Sequence, residues 1–442
     1  MLLNILFIFL CFFLTSTGYL AWLYHLIDLA PAGTPEILAM GLGYFSQAVG
    51  IGLFALILRF KSKMASPKLF SVVFAAYFVC TIPSILMPSL TGTVVFGVFS
   101  NVFSGAIAGF YLYHLSKTDS DHIALTFGIG YGLATFASWI MSVIENGVVY
   151  QTNVIILICA VLVTAVVFIL FRFYPTEENN GSDSLKNGKP SIKKVLIAAC
   201  SVVFLFSVVN QIGFSFPSSD IENGVNLELS RLFYAVGLII AGLVSDKNRK
   251  HGAVMTLGAL VVPFIMLILR KEVVPATLLW FLSYFVSGFF SVYRIILLVD
   301  IAKKRHIWFV SGFGLLFGRL GEAFGTVIYT AASETTIVLV VIASLLYAAT
   351  VVLFFWLYQK MYLPEADREK DERVRFQRFA VKHDLSPREK EILSLLLTKE
   401  TTASIARQLF VSESTVKFHV HNLLQKTGCK SRKELTELFY TD

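Results

Sequence analysis

The chain is 442 residues long, 56% hydrophobic and only 15% charged, with a mean hydropathy of +0.72. An ordinary soluble domain carries about 25% charge, so the composition excludes a soluble enzyme, and 40 Phe with 17 Tyr exclude an unfolded chain. The formal charge of +8 averages two unlike parts: long apolar stretches up to about Tyr362, then a tail with the charge density of a soluble domain.

Crossing a bilayer takes about 20 apolar residues in a helix. Twelve stretches meet that length, at about 3–27, 37–60, 69–88, 93–116, 122–145, 150–173, 193–216, 227–245, 252–269, 275–300, 307–331 and 336–358. The N-terminus lacks a basic flank and is read as a retained first span, not a cleaved signal. With that end in the cytoplasm the inner loops hold sixteen Lys/Arg and the outer loops only Arg270 and Lys271. The positive-inside rule then places both ends of the chain on the cytoplasmic face of a bacterial inner membrane. A polar connector at 174–192 separates a first half (1–173) from a second (193–362). The five cysteines have neither disulfide nor zinc spacing, and neither metal, cofactor nor catalytic residues are expected.

Twelve helices, both ends inside and a polar middle loop resemble the major facilitator superfamily of transporters. The run Gly242-Leu-Val-Ser-Asp246-Lys247-Asn-Arg249-Lys250 is similar to that family's G-x-x-x-D-(R/K)-x-G-R-(R/K) loop, with Arg249 standing where the pattern has Gly. The resemblance implies that Gly242 admits a close helix, that Asp246 caps a neighbouring helix N-terminus, and that Arg249 pairs with acids at a cytoplasmic gate. Asp300 is expected to join them. The alternative is a plain positive-inside loop. The first-half counterpart, RFKSKMASPK, lacks the acid and the glycine spacing, which argues against a full alternating-access cycle.

Ionisable groups at membrane depth are costly and need a reason. Arg319 and Glu322 sit three apart in GRLGEAFG, share a helix face and can neutralise one another. Gly318, Gly321 and Gly325 would let another helix approach. One reading is an ion pair that fixes helix packing. The other is a polar cavity for an anionic or zwitterionic ligand, to which Asn210, Gln211, Tyr284 and Arg294 would contribute, because the resembling fold lines its cavity partly with those spans.

The tail opens with a charged linker at 363–384, expected to be helical and continuous with span twelve. Ser386, Pro387 and Glu389 form a capping box with a proline at the first helical position. The first tail helix buries Leu385, Ile392, Leu393, Leu396 and Leu397. A second runs from a Thr401 cap through Ile405, Ala406 and Leu409. After a tight FVS turn, Ser412 caps a third helix, Glu413–Thr427, which buries Val416, Val420, Leu423 and Leu424 and closes at Gly428. Ser431 and Glu434 are expected to open a fourth with a second capping box. The tight turn makes helices two and three a helix-turn-helix, the second member of which enters a DNA major groove. Its outer stripe, Ser414, Lys417, Phe418, His421 and Gln425, offers the groups that base and phosphate contact need.

The run from Leu385 to Leu435 resembles the LuxR-type DNA-binding domain throughout, matching at positions that include Arg388, Glu389, Ile405, Ala406, Val411, Ser412, Thr415, Val416, Lys417, Leu423, Lys426 and Gly428. The resemblance implies base-facing roles for Lys417, Phe418 and His421, with Phe418 against a thymine methyl. It implies phosphate contacts from Ser414, Thr415, Lys426 and Lys430, and pairing of two copies through the fourth helix, Ser431 to Phe439. Lys399 replaces the usual glycine after helix one, and Thr402 and Ser404 replace Asn and Glu in helix two. Folding and DNA binding are expected to survive these changes.

The expected architecture is therefore all-α: a polytopic bundle of twelve transmembrane helices (6+6, major-facilitator-like) followed by a small four-helix LuxR-type helix-turn-helix domain at 385–442. The expected function is a membrane-anchored, one-component transcriptional regulator. Its partners would be promoter double-stranded DNA, the lipid bilayer, a small-molecule ligand and a second copy of the tail. The alternative is a secondary transporter with an autoregulatory or docking cytoplasmic tail.

Overall fold

The computed structural model describes residues 1–31, 34–61, 65–118, 122–143, 152–173, 190–214, 227–269, 273–333, 335–398 and 400–441. The expected connector lies almost wholly outside them, as do Arg270, Lys271 and Lys399. Every regular element among the described residues is a helix. The chain divides into two compact units, Met1–Leu357 and Tyr358–Asp442.

The first unit contains α1 (Leu2–Leu29), α2 (Ile37–Phe60), α3 (Pro67–Leu86), α4 (Leu90–Lys117), α5 (Ile123–Val143), α6 (Thr152–Phe173), α7 (Pro190–Phe214), α8 (Leu227–Lys247), α9 (Arg249–Leu269), α10 (Val273–Arg305), α11 (Phe313–Ala332) and α12 (Thr336–Met361). Hydroxyls within these apolar helices bond back to carbonyls a turn earlier, as Thr15 does to Cys11 at 2.9 Å and Ser207 to Val203 at 2.8 Å. Each such hydroxyl is satisfied within its own helix. Ser66 and Ser89 cap α3 and α4, and Asn248 caps α9. On α12, Ile337, Leu345 and Val352 lie on one face and are 76, 69 and 73% exposed, an exposed apolar stripe.

Eleven of these helices are long and apolar enough to cross a membrane; α11 is not among them. The stretch at 307–331 begins with a short 3₁₀ turn, Trp308–Val310, and its helix starts only at Phe313. The buried face of α11 is made of Gly314, Gly318, Gly321, Glu322, Gly325 and Thr326 beside Leu315 and Ala323. Small and charged residues lower its apolarity because that face serves packing and polar contacts.

Helix contacts repeat with a shift of six. The pairs α2/α4, α1/α5 and α3/α4 recur as α8/α10, α7/α11 and α9/α10. Between the halves, α5/α8 and α2/α11 exchange with one another under the same shift, which is the pattern of two repeats about a pseudo-two-fold axis. Glycines set the closest approaches. A side chain at Gly50 would strike the Val102 carbonyl of α4, and one at Gly237 would strike the Phe285 carbonyl of α10.

The second unit is built from α13 (Leu363–Lys382), α14 (Pro387–Leu397), α15 (Thr402–Gln408), α16 (Glu413–Thr427) and α17 (Arg432–Thr441). The linker is helical, but α13 is a helix of its own, started after Tyr362 and not continued from α12. Its last turns belong to the domain core. Phe379 and Ala380 are buried with Leu385, Ile392, Leu393, Ile405, Val416, Val420, Leu423, Leu435 and Phe439. The Phe379 and Phe439 rings meet edge to face at 5.4 Å.

Candidate functional site

In the second unit both bonds of the Ser386–Glu389 capping box are present. Thr401 and Ser412 cap α15 and α16 through their side chains, and Gly428 ends α16 at φ +72°, where a left-handed residue is needed and glycine takes it without strain. Ser431 accepts from the Glu434 amide, but the Glu434 carboxylate reaches the Lys430 amide, at 2.7 Å, so the expected second capping box is shifted by one residue.

With Val416, Val420 and Leu423 turned inward, α16 presents Lys417, Phe418, His421 and Gln425 outward. Phe418 is 61% exposed, so its ring stands open on the outward stripe of α16. At the start of the same helix the hydroxyls of Ser414 and Thr415 lie 2.7 and 2.8 Å from that of Ser412. Three hydroxyls at a helix N-terminus favour an anion, because the free amides and the helix dipole point there. Lys430 is exposed.

Lys426 behaves differently. Its ammonium lies 2.9 Å from Glu389 Oε2 and 2.7 Å from the Asp384 carbonyl, joining the end of α16 to the start of α14. Burial pushes the Glu389 carboxyl up, but hydrogen bonds from Lys426 and Ser386 outweigh it and hold it below the ordinary carboxylate range. Thr402 also does more than cover a surface: it accepts from Arg432 at 2.8 Å and ties α15 to α17. On α17 itself, Leu435 and Phe439 are spent on the domain core, which leaves Lys433, Glu434 and Glu437 exposed.

In the first unit the structure brings Gly242, Asp246, Arg249 and Asp300 together. A side chain at Gly242 would come 2.8 Å from the Ala124 carbonyl, so α8 lies against α5 only because that side chain is missing. Asp246 accepts from the Ala124 amide at 3.0 Å and the Leu125 amide at 2.7 Å, capping the N-terminus of α5. Arg249 donates to Asp246 at 2.7 Å and to Asp300 at 2.9 Å. Lys303 donates to the Thr118 carbonyl at 2.9 Å nearby. One end of the unit is therefore closed by a layer that links both halves.

Away from this layer lies a cavity of about 630 Å³. The six cavity residues expected from sequence, Asn210, Gln211, Tyr284, Arg294, Arg319 and Glu322, all line it. Arg319 and Glu322 meet at 2.7 Å, but Glu322 also receives Arg294 of α10, at 2.5 Å. The pair foreseen within one helix is thus a triad that bridges two. Gln211 donates to Thr326 at 3.2 Å, and the Arg319 guanidinium sits 4.2 Å from the centre of the Tyr44 ring. The lining also includes Gln47, Tyr44, Tyr111, Tyr131 and Tyr234. With 17 Tyr in the chain, no local signal could single these out. Asn4 of α1 bonds Thr118, just past the end of α4, at the closed end, and Ser16, farther along α1, bonds Ser138 of α5. The lining runs on to Ile27 and Pro35, so the cavity reaches toward the end opposite Asp246.

Residues 383–439 match the family described as bacterial regulatory proteins, luxR family. Over 56 residues the chain is 45% identical to the spore germination protein GerE of Bacillus subtilis (strain 168), covering 13% of this chain and 76% of that protein. Identity to the nitrate/nitrite response regulator protein NarL of Escherichia coli (strain K12) is 46% over 52 residues, 12% of this chain and 24% of the relative. For the CsgBAC operon transcriptional regulatory protein of Escherichia coli (strain K12) it is 48% over 50 residues, 11% and 23%. The chain thus spans most of GerE and about a quarter of the other two. Through its C-terminal helix-turn-helix domain, the chain belongs to the luxR family of bacterial regulatory proteins.

Proposed function

We propose that this protein is a one-component transcription regulator held in a bacterial inner membrane, with both ends of the chain in the cytoplasm. In this reading α1–α12 form a major-facilitator-like domain that takes a small molecule into its cavity, and the luxR-family domain binds promoter DNA as a pair of copies. The observation that carries it is one chain joining two parts. One is a helix-turn-helix with Lys417, Phe418 and His421 outward on α16. The other is a bundle of apolar helices enclosing a cavity with buried charges. The six-helix repeat in the contacts and the Gly242–Asp246–Arg249–Asp300 layer support the transporter-like assignment. Lys417, Phe418 and His421 would read bases, and Ser414, Thr415 and Lys430 would hold phosphates. Lys426 is left out, because its ammonium already has two internal partners.

Recovering bound DNA genome-wide from cells that express the intact chain tests the reading, with discrete promoter sites as the expected result. A tail that binds no DNA even at low salt would turn the assignment toward a docking module. Robust solute accumulation in proteoliposomes would turn it toward a transporter with an autoregulatory tail.

A further inference from the structure

We infer that the cavity of the first unit is built for an organic monoanion, a carboxylate on an apolar body, and not for a zwitterion, an amine or a neutral solute. The inference rests on the reading of this cavity as a ligand site and narrows its chemistry.

The charges set the argument. Arg294 and Arg319 bring two cations to the single carboxylate of Glu322, so the triad keeps one positive charge. No acid other than Glu322 lines the cavity among the described residues. Arg294 and Glu322 are 3 and 7% exposed, and at that burial an uncompensated charge is expensive. A bound anion supplies the missing charge.

The hydrogen bonds point the same way. Each Glu322 oxygen already accepts from a guanidinium, so an ammonium group brought to this carboxylate would sit against two cations. Two donor-only groups, Nε of Arg294 and Nε of Arg319, are buried without a hydrogen-bond partner, as are the Tyr111 and Ser287 hydroxyls, which can donate as well as accept. All four residues line the cavity. Unmatched N–H donors call for an acceptor, and a carboxylate is the one that forms the strongest bonds with guanidinium. The remaining wall includes Phe12, Leu20, Leu23, Ile27, Phe214 and Phe290, which suits an apolar body. A zwitterion would leave the net charge unchanged and set its ammonium among guanidinium groups.

The test uses the purified full-length chain in lipid nanodiscs, with thermal unfolding and titration calorimetry against matched triplets: phenylacetate, indole-3-acetate and hexanoate, each beside its primary amide and the corresponding amine. Carboxylates should bind roughly tenfold or more tighter than their amides, and amines should not bind. Arg319→Gln leaves Glu322 paired with Arg294, and it should bring the carboxylate-to-amide ratio to about one. Glu322→Gln adds net positive charge and should tighten the carboxylates, which keeps the proposal open to refutation if the first variant does not fold. Equal binding of carboxylates and amides would overturn the charge assignment and leave the cavity a ligand site. No binding in any of the three classes would overturn the ligand-site reading as well.

Discussion

Lys426 and Glu389, 37 residues apart in sequence, meet at 2.9 Å between the last turn of α16 and the first turn of α14. The Glu389 side chain is 5% exposed and that of Lys426 37%, so the carboxylate is enclosed while the ammonium still touches solvent. Glu389 also accepts from the Ser386 amide at 2.8 Å. A single buried carboxylate thereby caps one helix and tethers the far end of the recognition helix.

A pH dependence follows. A carboxyl held below its ordinary value, about 4.3 for Glu, contributes stability above that value and loses it as pH falls through the folded-state value. Thermal unfolding of a 358–442 fragment, which has its own closed core, should therefore show a drop in Tm on acidification below about pH 4. Glu389→Gln should destabilise the fragment by about 2 kcal/mol at pH 7 and flatten that drop. An unchanged acid limb in the variant would remove Glu389 as its source.

For DNA, Lys417→Ala should weaken promoter binding by about 2 kcal/mol, measured by fluorescence anisotropy of the same fragment, without changing its Tm. Phe418→Ala should instead cost about 1 kcal/mol of discrimination at a T·A position and leave the salt dependence intact. Equal loss on all sequences for Phe418→Ala would assign that ring to general contact and not to base reading.

Truncation separates a linker from a core element. A fragment that begins at Leu385 lacks Phe376, Phe379 and Ala380, all of which pack in the core cluster. Phe379→Ala in the 358–442 fragment should cost about 3 kcal/mol, in the range of a large-to-small core change. The 385–442 fragment should be less stable still. Equal denaturant midpoints for the two fragments would show that α13 contributes nothing to folding.

In the first unit, Asp246→Asn should loosen the closed end. The side chain could still accept one bond from the α5 amides but would lose its charge opposite both the helix N-terminus and Arg249. Faster alkylation of a cysteine introduced at Leu125 is the expected result. Gly242→Leu should have the larger effect, loss of folded protein on size exclusion, because its side chain would enter the backbone of α5.

Local chemistry made much of this protein legible in its sequence. A cap at Ser412 and a glycine at Gly428 are read from residues three or four apart, and α16 runs Glu413–Thr427 between them. The outward position of Lys417, Phe418 and His421 follows from the 3.6-residue period once Val416, Val420 and Leu423 are turned inward. Length and apolarity likewise marked out the long helices. Relations across the fold could not be read this way. Arg294 and Glu322 are 28 residues apart on different helices, and nothing local to either reveals that their side chains meet. The resemblance implied a phosphate contact for Lys426, and only the close approach of α14 reveals that its ammonium also meets Glu389. Phe379 lay in a stretch read as a charged linker, yet Phe439 draws it into the core. Composition and periodicity determined which helices form and which faces are apolar. Tertiary packing decided which buried charges share a partner, and so left the cavity its net positive charge, because desolvation makes each such pairing depend on neighbours distant in the chain.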